Sequence, residues 1–300
     1  MTKRLLDLAE LLNSWMRHLR GQRRSEQTQR AYRRAVDAYL AYCADTGAPA
    51  ALTKAAVTDW LAAQGDCSTA TVRLRLAAVK RFAAWLAAEE GFDADPILAI
   101  RPPKMAQAAV ADLSDNEVGR LLKACEGTDL RDKRDKAMVA LLAETGLRAA
   151  ELLALDMADL DLDACLVQVR HGKGGKARRV RFSPGTAALI DRYLRARRNT
   201  VRHPAEGPVW LSAQGRRLSY TGLVGTLKAR AADAGVVGFH VHRLRHTAAV
   251  RWMQSGGSET GLRAHGGWSD NSMIGRYTKT ASERLAAEEF DRLGLGLTEL

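Results

Sequence analysis

The stretch FHVHRLRHTAAV, residues 239–250, places five basic side chains within seven residues and then turns apolar. Its apolar spacing predicts a helix over 242–255. A helix N-terminus already carries partial positive charge, so further cations there are locally unfavourable. Either an anionic ligand offsets that cost or the side chains spread into solvent. The five residues are His240, His242, Arg243, Arg245 and His246.

The composition predicts a two-domain protein with an anionic partner. A chain of 300 residues is long for one core, and its net charge is +12. Residues 1–107 carry a net charge of +5 and residues 108–300 a net charge of +7. A positive field on both halves is typical of a polyanion held by both halves. The excess of Arg over Lys fits phosphate contacts, and it equally fits a GC-rich coding bias.

Several classes of protein are disfavoured by the sequence. The four cysteines are scattered without a CxxC pair, which argues against a zinc site and for reduced thiols. The N-terminus has charges inside its apolar pattern and so does not read as a signal peptide. No apolar run approaches the roughly 20 residues of a membrane span. We therefore expect a soluble, cytoplasmic protein with no membrane partner.

The first hundred residues predict four helices in a small bundle. Ser25 and Ser68 are typical N-caps, while Gly47 and Gly91 are typical helix ends. A shorter helix starts near Thr53. The exposed face of the last helix is predicted to contact the anionic partner, although taken alone such a face is more often plain solvated surface. The basic residues of that face are Arg73, Arg75, Lys80 and Arg81.

A proline-containing stretch, DADPILAIRPPKMAQ at 93–107, separates this bundle from the rest of the chain. The predicted domains are a helical domain at 1–94, a linker at 95–107 and a second domain at 108–300. A capping box of Ser114 and Glu117 starts the second domain. Strands are predicted at 165–170 and 179–182, joined by the glycine-rich loop HGKGGKA. Further helices are predicted at 184–198, 221–234, 242–255, 258–264, 271–277 and 282–293.

Four segments of the second domain carry groups suited to phosphate chemistry. ETGLRAAELLAL presents Arg148 after a glycine turn, with Glu151 about one helical turn later. The loop HGKGGKA presents Lys173, and the basic stretch follows from His242 to His246. In GGWSDNSMIGRYTKT, Trp268 precedes Tyr277 by nine residues. Each residue alone is more often a packing or surface residue; the ordered set is not.

These segments, in this order, resemble the tyrosine recombinase (phage integrase) family. The resemblance is strong over 108–280 and looser over 25–90. It implies a mainly α fold with a small β-hairpin or sheet: a helical core-binding (SAM-like) domain plus a mixed α+β catalytic domain. Trp268 stands where many relatives have His, which is a known variant. His265 does not fill that position, because it lies twelve residues before Tyr277.

The resemblance also implies a role for each group, and each role fits the residue's chemistry. Tyr277 is the nucleophile, and since a free phenol has a pKa near 10, it needs activation. His242 is the candidate base or hydrogen-bond partner to the phosphate. Arg148 and Arg245 hold the non-bridging phosphate oxygens. Protonation of the 5′ oxygen falls to Lys173, with Lys176 as the alternative. Four further residues have supporting roles. Glu151 is predicted to brace an Arg or His, and His246 to buttress the helix. Trp268 is predicted to pack the site and point its indole N–H at phosphate, and Arg243 to contact DNA.

This chemistry is expected to need no metal, no ATP and no other cofactor. The expected partner is double-stranded DNA with inverted-repeat half-sites, bound by a homotetramer. An apolar stripe near the C-terminus, at Leu285, Ala286, Phe290 and Leu293, predicts a helix that docks on the neighbouring protomer or on its own domain. Two alternatives stay open from the sequence alone: a type IB topoisomerase, and a non-catalytic DNA-binding protein of the same fold.

Overall fold

The computed structural model describes residues 6–104, 112–170, 177–201, 203–268 and 290–294. The chain divides into two compact units, residues 1–108 and 109–300. Among the described residues no helix combines the length and apolar character that crossing a membrane requires. The predicted segments at 271–277 and 282–293 lie outside the described residues, except for 290–293.

All regular secondary structure in the described part of the first unit is helical, as the sequence predicted. Ser25 and Ser68 cap their helices through the side-chain oxygen, and Gly47 and Gly91 end them in the left-handed conformation, with φ of 67° and 65°. A buried aromatic pair lies at its centre, where Trp15 packs on Phe82 at 5.1 Å between ring centres. The helices are α1 (Leu8–Gly21), α2 (Glu26–Thr46), α3 (Lys54–Ala62), α4 (Thr69–Glu90) and α5 (Asp95–Leu98).

The segment predicted as a linker begins as part of this unit. Pro96 lies in the first turn of α5, a position that proline tolerates because its missing N–H would have no helical partner. Ile97 is fully buried in the core of the unit, and Ile100 is nearly so. The structured part of the first unit therefore extends past residue 94, and exposed irregular chain follows at 101–104.

The second unit surrounds one central helix. Its helices are α6 (Asp115–Ala124), α7 (Leu130–Thr145), α8 (Ala149–Ala154), α9 (Pro184–Arg197), α10 (Tyr220–Asp233), α11 (Val241–Gln254) and α12 (Glu259–Gly266). The helix α7 is buried along most of its length and packs against α9 and α11. Ser114 and Glu117 form the predicted capping box at the start of α6. The helices predicted at 184–198, 221–234, 242–255 and 258–264 are all present within one or two residues.

A small antiparallel sheet lies beside these helices. Its strands are β1 (Leu160–Asp161), β2 (Leu166–Val169) and β3 (Arg178–Arg181), in the order β1-β2-β3. The sequence predicted β2 and β3 but not the two-residue β1, which is too short to show an alternating pattern. Val167 pairs with Val180, and both are fully buried. The pairing of Val169 with Arg178 brings together the two ends of the chain that flank the loop at 171–176.

Candidate active site

The segment TGLR folds as a tight junction between α7 and α8. Gly146 ends α7 in the left-handed conformation, with φ of 62°. A Cβ at this position would lie 3.2 Å from the Cβ of Ala248 on α11, so the glycine serves both the turn and the close packing. Arg148 then caps α8, and its backbone N–H donates to Glu151 Oε2 at 2.9 Å. The local sequence thus fixes where the Arg148 side chain begins.

The Arg148 guanidinium is anchored from two directions. Its Nη1 donates to Glu151 Oε1 at 2.8 Å, and its Nη2 donates to the Gly267 carbonyl at 2.9 Å. About 29% of the side chain remains exposed. The group is therefore held in one orientation and still accessible to a ligand, which is what preorganised binding of an oxyanion requires.

Glu151 is the buried anion of the site. Its side chain is 4% exposed and accepts from two arginines, Arg148 and Arg178. Burial alone would raise the pKa of this carboxyl, but the hydrogen bonds from Arg178 and Arg148 hold its pKa below the usual value. The carboxylate is therefore ionised at neutral pH. The predicted bracing of an arginine by Glu151 is present in the contact with Arg148.

Arg178 is a residue of this cluster that the sequence analysis missed. It donates to both Glu151 oxygens, at 3.1 and 2.8 Å, and through Nε to the His265 carbonyl at 2.9 Å. Nothing in the RRVR strand pattern separates Arg178 from its basic neighbours. Its place as the first residue of β3, directly after the glycine-rich loop, is the one signal that marks it.

Arg245 approaches the same glycine turn from α11. It is 2% exposed, and its Nη1 donates to the Gly146 carbonyl. Its guanidinium carbon lies 3.8 Å from the centre of the Trp268 ring, which is a cation–π contact. Trp268 itself is 5% exposed and packs with Ala249 and Leu262. This burial fits the predicted packing role of Trp268; the predicted contact of its indole with phosphate stays a prediction.

The two predicted phosphate-binding arginines thus converge on one junction. Arg245 binds the carbonyl of Gly146, two residues before Arg148. Arg148 binds the carbonyl of Gly267, one residue before Trp268, on which Arg245 lies. Two charges of the same sign are held in place by two carbonyl groups, one indole face and, for Arg148, the Glu151 carboxylate. An anion that binds both guanidinium groups is the ligand such an arrangement favours.

His242 and His246 lie one turn apart on α11, with ring centres 5.6 Å apart and rings nearly perpendicular. His242 is exposed, whereas His246 is half-buried. The pKa of His242 is lowered from its ordinary value, first by desolvation and then by the positive charges of Arg245, His240 and Arg148. A neutral imidazole at neutral pH is able to accept a proton or a hydrogen bond, as the predicted role of His242 requires.

Arg243 is largely buried, and its guanidinium group binds groups of its own unit; its predicted contact with DNA stays a prediction. It is 8% exposed, and it donates to the carbonyls of Val237 at 2.8 Å and Asp112 at 3.1 Å. A carboxylate oxygen of Glu117 lies 3.7 Å away. Neighbouring residues on a helix point about 100° apart, so Arg243 binds different groups from Arg245, which binds the Gly146 carbonyl. Arg243 ties α11 to the start of the unit.

The basic face predicted on α4 is partly occupied by contacts within the first unit. Arg73 and Lys80 donate to the carbonyls of Pro103 and Leu98, both at 2.6 Å. Arg75 points elsewhere and donates to Gln64 Oε1 at 2.9 Å. Arg81 is exposed. Because α4 turns by about 100° per residue, Arg75 cannot share a face with Arg73 and Lys80. The face as predicted therefore reduces to Arg73, Lys80 and Arg81.

The comparisons with known proteins agree with this geometry. Residues 111–284 match the phage integrase family, and residues 12–90 match the phage integrase N-terminal SAM-like domain. The tyrosine recombinase XerD of Oceanobacillus iheyensis is 32% identical over 87% of this chain and 90% of its own. The tyrosine recombinase XerC of Mycobacterium tuberculosis is 33% identical over 88% of this chain and 91% of its own. The chain belongs to the phage integrase family.

Solved structures share the fold of this integrase-family chain. The Tn1549 transposon integrase, solved with transposon right end DNA, matches 96% of this chain and 100% of its own with a TM-score of 0.74 at 16% identity. The XerH recombinase, solved with palindromic difH DNA, matches 87% of this chain and 79% of its own with a TM-score of 0.71 at 18% identity.

Family membership establishes the class of reaction. The chain is a tyrosine site-specific recombinase, an enzyme that cuts and rejoins DNA. The topoisomerase and non-catalytic alternatives are not favoured, because the relatives that span most of the chain are recombinases. Two predicted residues of this integrase-family site, Lys173 and Tyr277, lie outside the described residues, as does the alternative acid Lys176. In the part of the chain that the structure describes, no cluster of three or more His, Cys, Asp or Glu side chains suits a metal ion.

Proposed function

We propose that this recombinase opens one DNA phosphodiester by attack of the Tyr277 hydroxyl on the scissile phosphorus. The observation that carries the proposal is the convergence of Arg148 and Arg245 on the Gly146 turn, with Arg148 still partly exposed. Two fixed guanidinium forks supply the positive charge that a pentacoordinate phosphorus needs on its non-bridging oxygens.

The bond changes balance with side chains of this chain alone. A bond forms between Tyr277 Oη and phosphorus while the bond from phosphorus to the 5′ oxygen breaks. The phenolic proton passes to His242, whose lowered pKa keeps it neutral beforehand. Lys173 gives a proton to the departing 5′ oxygen. A 3′-phosphotyrosyl bond and a free 5′ hydroxyl result, and attack by a 5′ hydroxyl of the partner duplex reverses the step.

The energy of the broken bond is kept in the phosphotyrosyl ester, so rejoining needs no ATP. In this scheme Arg and Lys side chains supply the charge that a divalent ion supplies in many nucleases. Since the substrate is DNA, we place the reaction in the cytoplasm.

The DNA partner of this scheme is a duplex with inverted-repeat half-sites. The positive charge of both parts of the chain supports contacts to phosphate, which act independently of sequence. Exposed Arg81, with Arg73 and Lys80 beside the carbonyls they bind, is the contact surface that we propose for the first unit. The XerH recombinase, whose fold this chain shares, was solved bound to a palindromic difH substrate.

Four protomers are expected to act on two such sites. The proposed link is the C-terminal segment, in which Phe290 and Leu293 are 50% and 60% exposed. Truncation after Lys279 tests the link: the shortened protein should bind a half-site as a monomer and fail to assemble a tetramer on DNA by light scattering. A truncated protein that is still tetrameric on DNA refutes the exchange, and one that is unfolded shows that the segment packs on its own domain.

The proposed reaction as a whole is tested with a suicide DNA substrate nicked beside the cleavage point, incubated with the enzyme in excess EDTA. A covalent protein–DNA band on a denaturing gel is the expected product. Cleavage that disappears in EDTA and returns with magnesium would show that a metal ion performs the role assigned here to Arg148, Arg245 and Lys173.

A further inference from the structure

Glu151 binds two guanidinium groups with its two oxygens. Only one of these arginines, Arg148, belongs to the proposed catalytic set. Arg148 takes Oε1 at 2.8 Å, while Arg178 reaches Oε1 at 3.1 Å and Oε2 at 2.8 Å. The Arg178 side chain is 11% exposed, against 29% for Arg148. Arg178 therefore makes the bidentate, more buried pair, and Arg148 shares the carboxylate from its open side.

We propose that Arg178 is a positioning residue that neutralises Glu151 and so leaves the charge of Arg148 available to the scissile phosphate. The proposal rests on the proposed function, because it assigns Arg148 to the non-bridging oxygens. Arg178 itself does not touch DNA or the reacting atoms in this account.

Charge counting gives the reason. The buried Glu151 carboxylate with Arg148 alone is a neutral pair, whereas Glu151 with Arg148 and Arg178 carries one net positive charge. In a site of low dielectric a carboxylate that lacks Arg178 would draw Arg148 into a bidentate pair of its own. Arg148 would then face the phosphate with much of its charge already balanced. The second arginine keeps the first one free to act.

Arg178 also supports the second anchor of Arg148. Its Nε donates to the His265 carbonyl at 2.9 Å, which ties β3 to α12. Gly267, whose carbonyl accepts from Arg148, has φ of 66°, and a Cβ there would lie 2.7 Å from Arg178 Nη1. Arg178 thus packs closely against the turn that holds the other end of Arg148, and both anchors of Arg148 depend on it.

The test is a double-mutant cycle of Arg178→Gln and Glu151→Gln, read as the single-turnover rate of covalent adduct formation and, separately, as DNA affinity. Arg178→Gln alone should slow cleavage by roughly 10²-fold, the range for losing one preorganised donor, with a smaller effect on affinity. In the Glu151→Gln background the same change should cost less than about 5-fold, because no carboxylate remains to be balanced. An equal cost in both backgrounds overturns the proposal.

A matched control separates positioning from stability. Arg230 also bridges two carboxylates, at 2.5 Å from Asp132 and 3.1 Å from Asp135, and lies outside the proposed site. Arg230→Gln should lower the unfolding temperature and leave the cleavage rate of the folded protein within a few fold. If Arg230→Gln slows cleavage as much as Arg178→Gln does, loss of a buried ion pair alone explains the effect and the proposal fails.

A substrate with sulfur at the 5′-bridging position distinguishes the two neighbours that Arg178 connects. Sulfur leaves without protonation, so it compensates for a lost acid and not for a weakened Arg148. The Arg178→Gln defect should therefore persist on this substrate. Rescue by sulfur would assign Arg178 to the loop of Lys173 instead. If the wild-type enzyme forms no adduct at all, the proposed function is contradicted. This outcome is distinct from any result of the double-mutant cycle, which compares variants with an active wild type.

Discussion

The guanidinium carbon of Arg245 lies 3.8 Å from the centre of the Trp268 ring, and both side chains are almost fully buried. The indole therefore forms the floor under an arginine whose Nη1 is bound to the Gly146 carbonyl. A flat aromatic face holds a guanidinium in a fixed plane without neutralising its charge. Trp268 therefore fixes the orientation of Arg245 while leaving its charge unbalanced by any contact with the ring.

Trp268→Ala should cost about 3–5 kcal/mol in the free energy of unfolding, since it removes a buried indole and leaves a cavity. Trp268→Phe keeps an aromatic face and should lose much less. Chemical denaturation measures the stability of both variants, and the rate of adduct formation measures their activity. A Trp268→Phe variant as impaired as Trp268→Ala would show that the indole has a role beyond forming this floor.

Gly146→Ala should destabilise the protein through two effects: a left-handed backbone and a Cβ 3.2 Å from that of Ala248. We expect about 1–3 kcal/mol from the backbone alone. Gly47→Ala is the control, because it has nearly the same φ, 67°, and nothing within 4 Å. Thermal unfolding of both variants isolates the contact, and only Gly146→Ala should also slow cleavage. If Gly146→Ala and Gly47→Ala change unfolding and cleavage equally, the close contact with Ala248 has no effect on either.

Cleavage should lose rate in acid as His242 becomes protonated. The pKa of His242 lies below that of a free imidazole, so the ring is neutral at pH 7 and gains its proton only in more acid solution. The rate under subsaturating DNA, which reports the free enzyme, should therefore hold near neutral pH and fall at lower pH than a free imidazole would dictate. His242→Gln should be slow throughout and lack this acid limb. An unchanged limb in that variant would assign the titration to another group.

Much of the fold was predictable because its signals are local. Ser25, Ser68 and Ser114 cap helices by bonding backbone groups three residues away, and a single sequence shows such pairs directly. The strand β1 and the helix α5 were not predictable in this way. Two residues show no periodicity, and α5 is held by burial of Ile97 in the core that the other helices of the first unit form.

The candidate site shows the same division. Arg148 and Glu151 are three residues apart, and their contact follows from the helix between them. Arg178 joins them across 27 residues of chain, so no local pattern reveals it. The carbonyl contacts of Arg243 were not predictable either, because adjacent residues of the HRLRH stretch face different surroundings on a helix.

Lys173→Ala should slow cleavage of ordinary DNA by roughly 10²–10⁴-fold, the range for loss of a general acid. The 5′-bridging sulfur substrate should restore most of that rate, because the sulfur departs without a proton. Lys176→Ala is the matched control and should cleave both substrates nearly as the wild type does. If the sulfur substrate rescues only Lys176→Ala, the acid is Lys176.

The central claim, that Tyr277 is the nucleophile, is tested most directly with Tyr277→Phe. This change removes one hydroxyl oxygen and leaves the aromatic ring. On the nicked suicide substrate the wild type should accumulate a covalent protein–DNA band, and Tyr277→Phe should bind the same DNA in a native gel and give no such band. A covalent band of wild-type intensity from Tyr277→Phe would contradict the account.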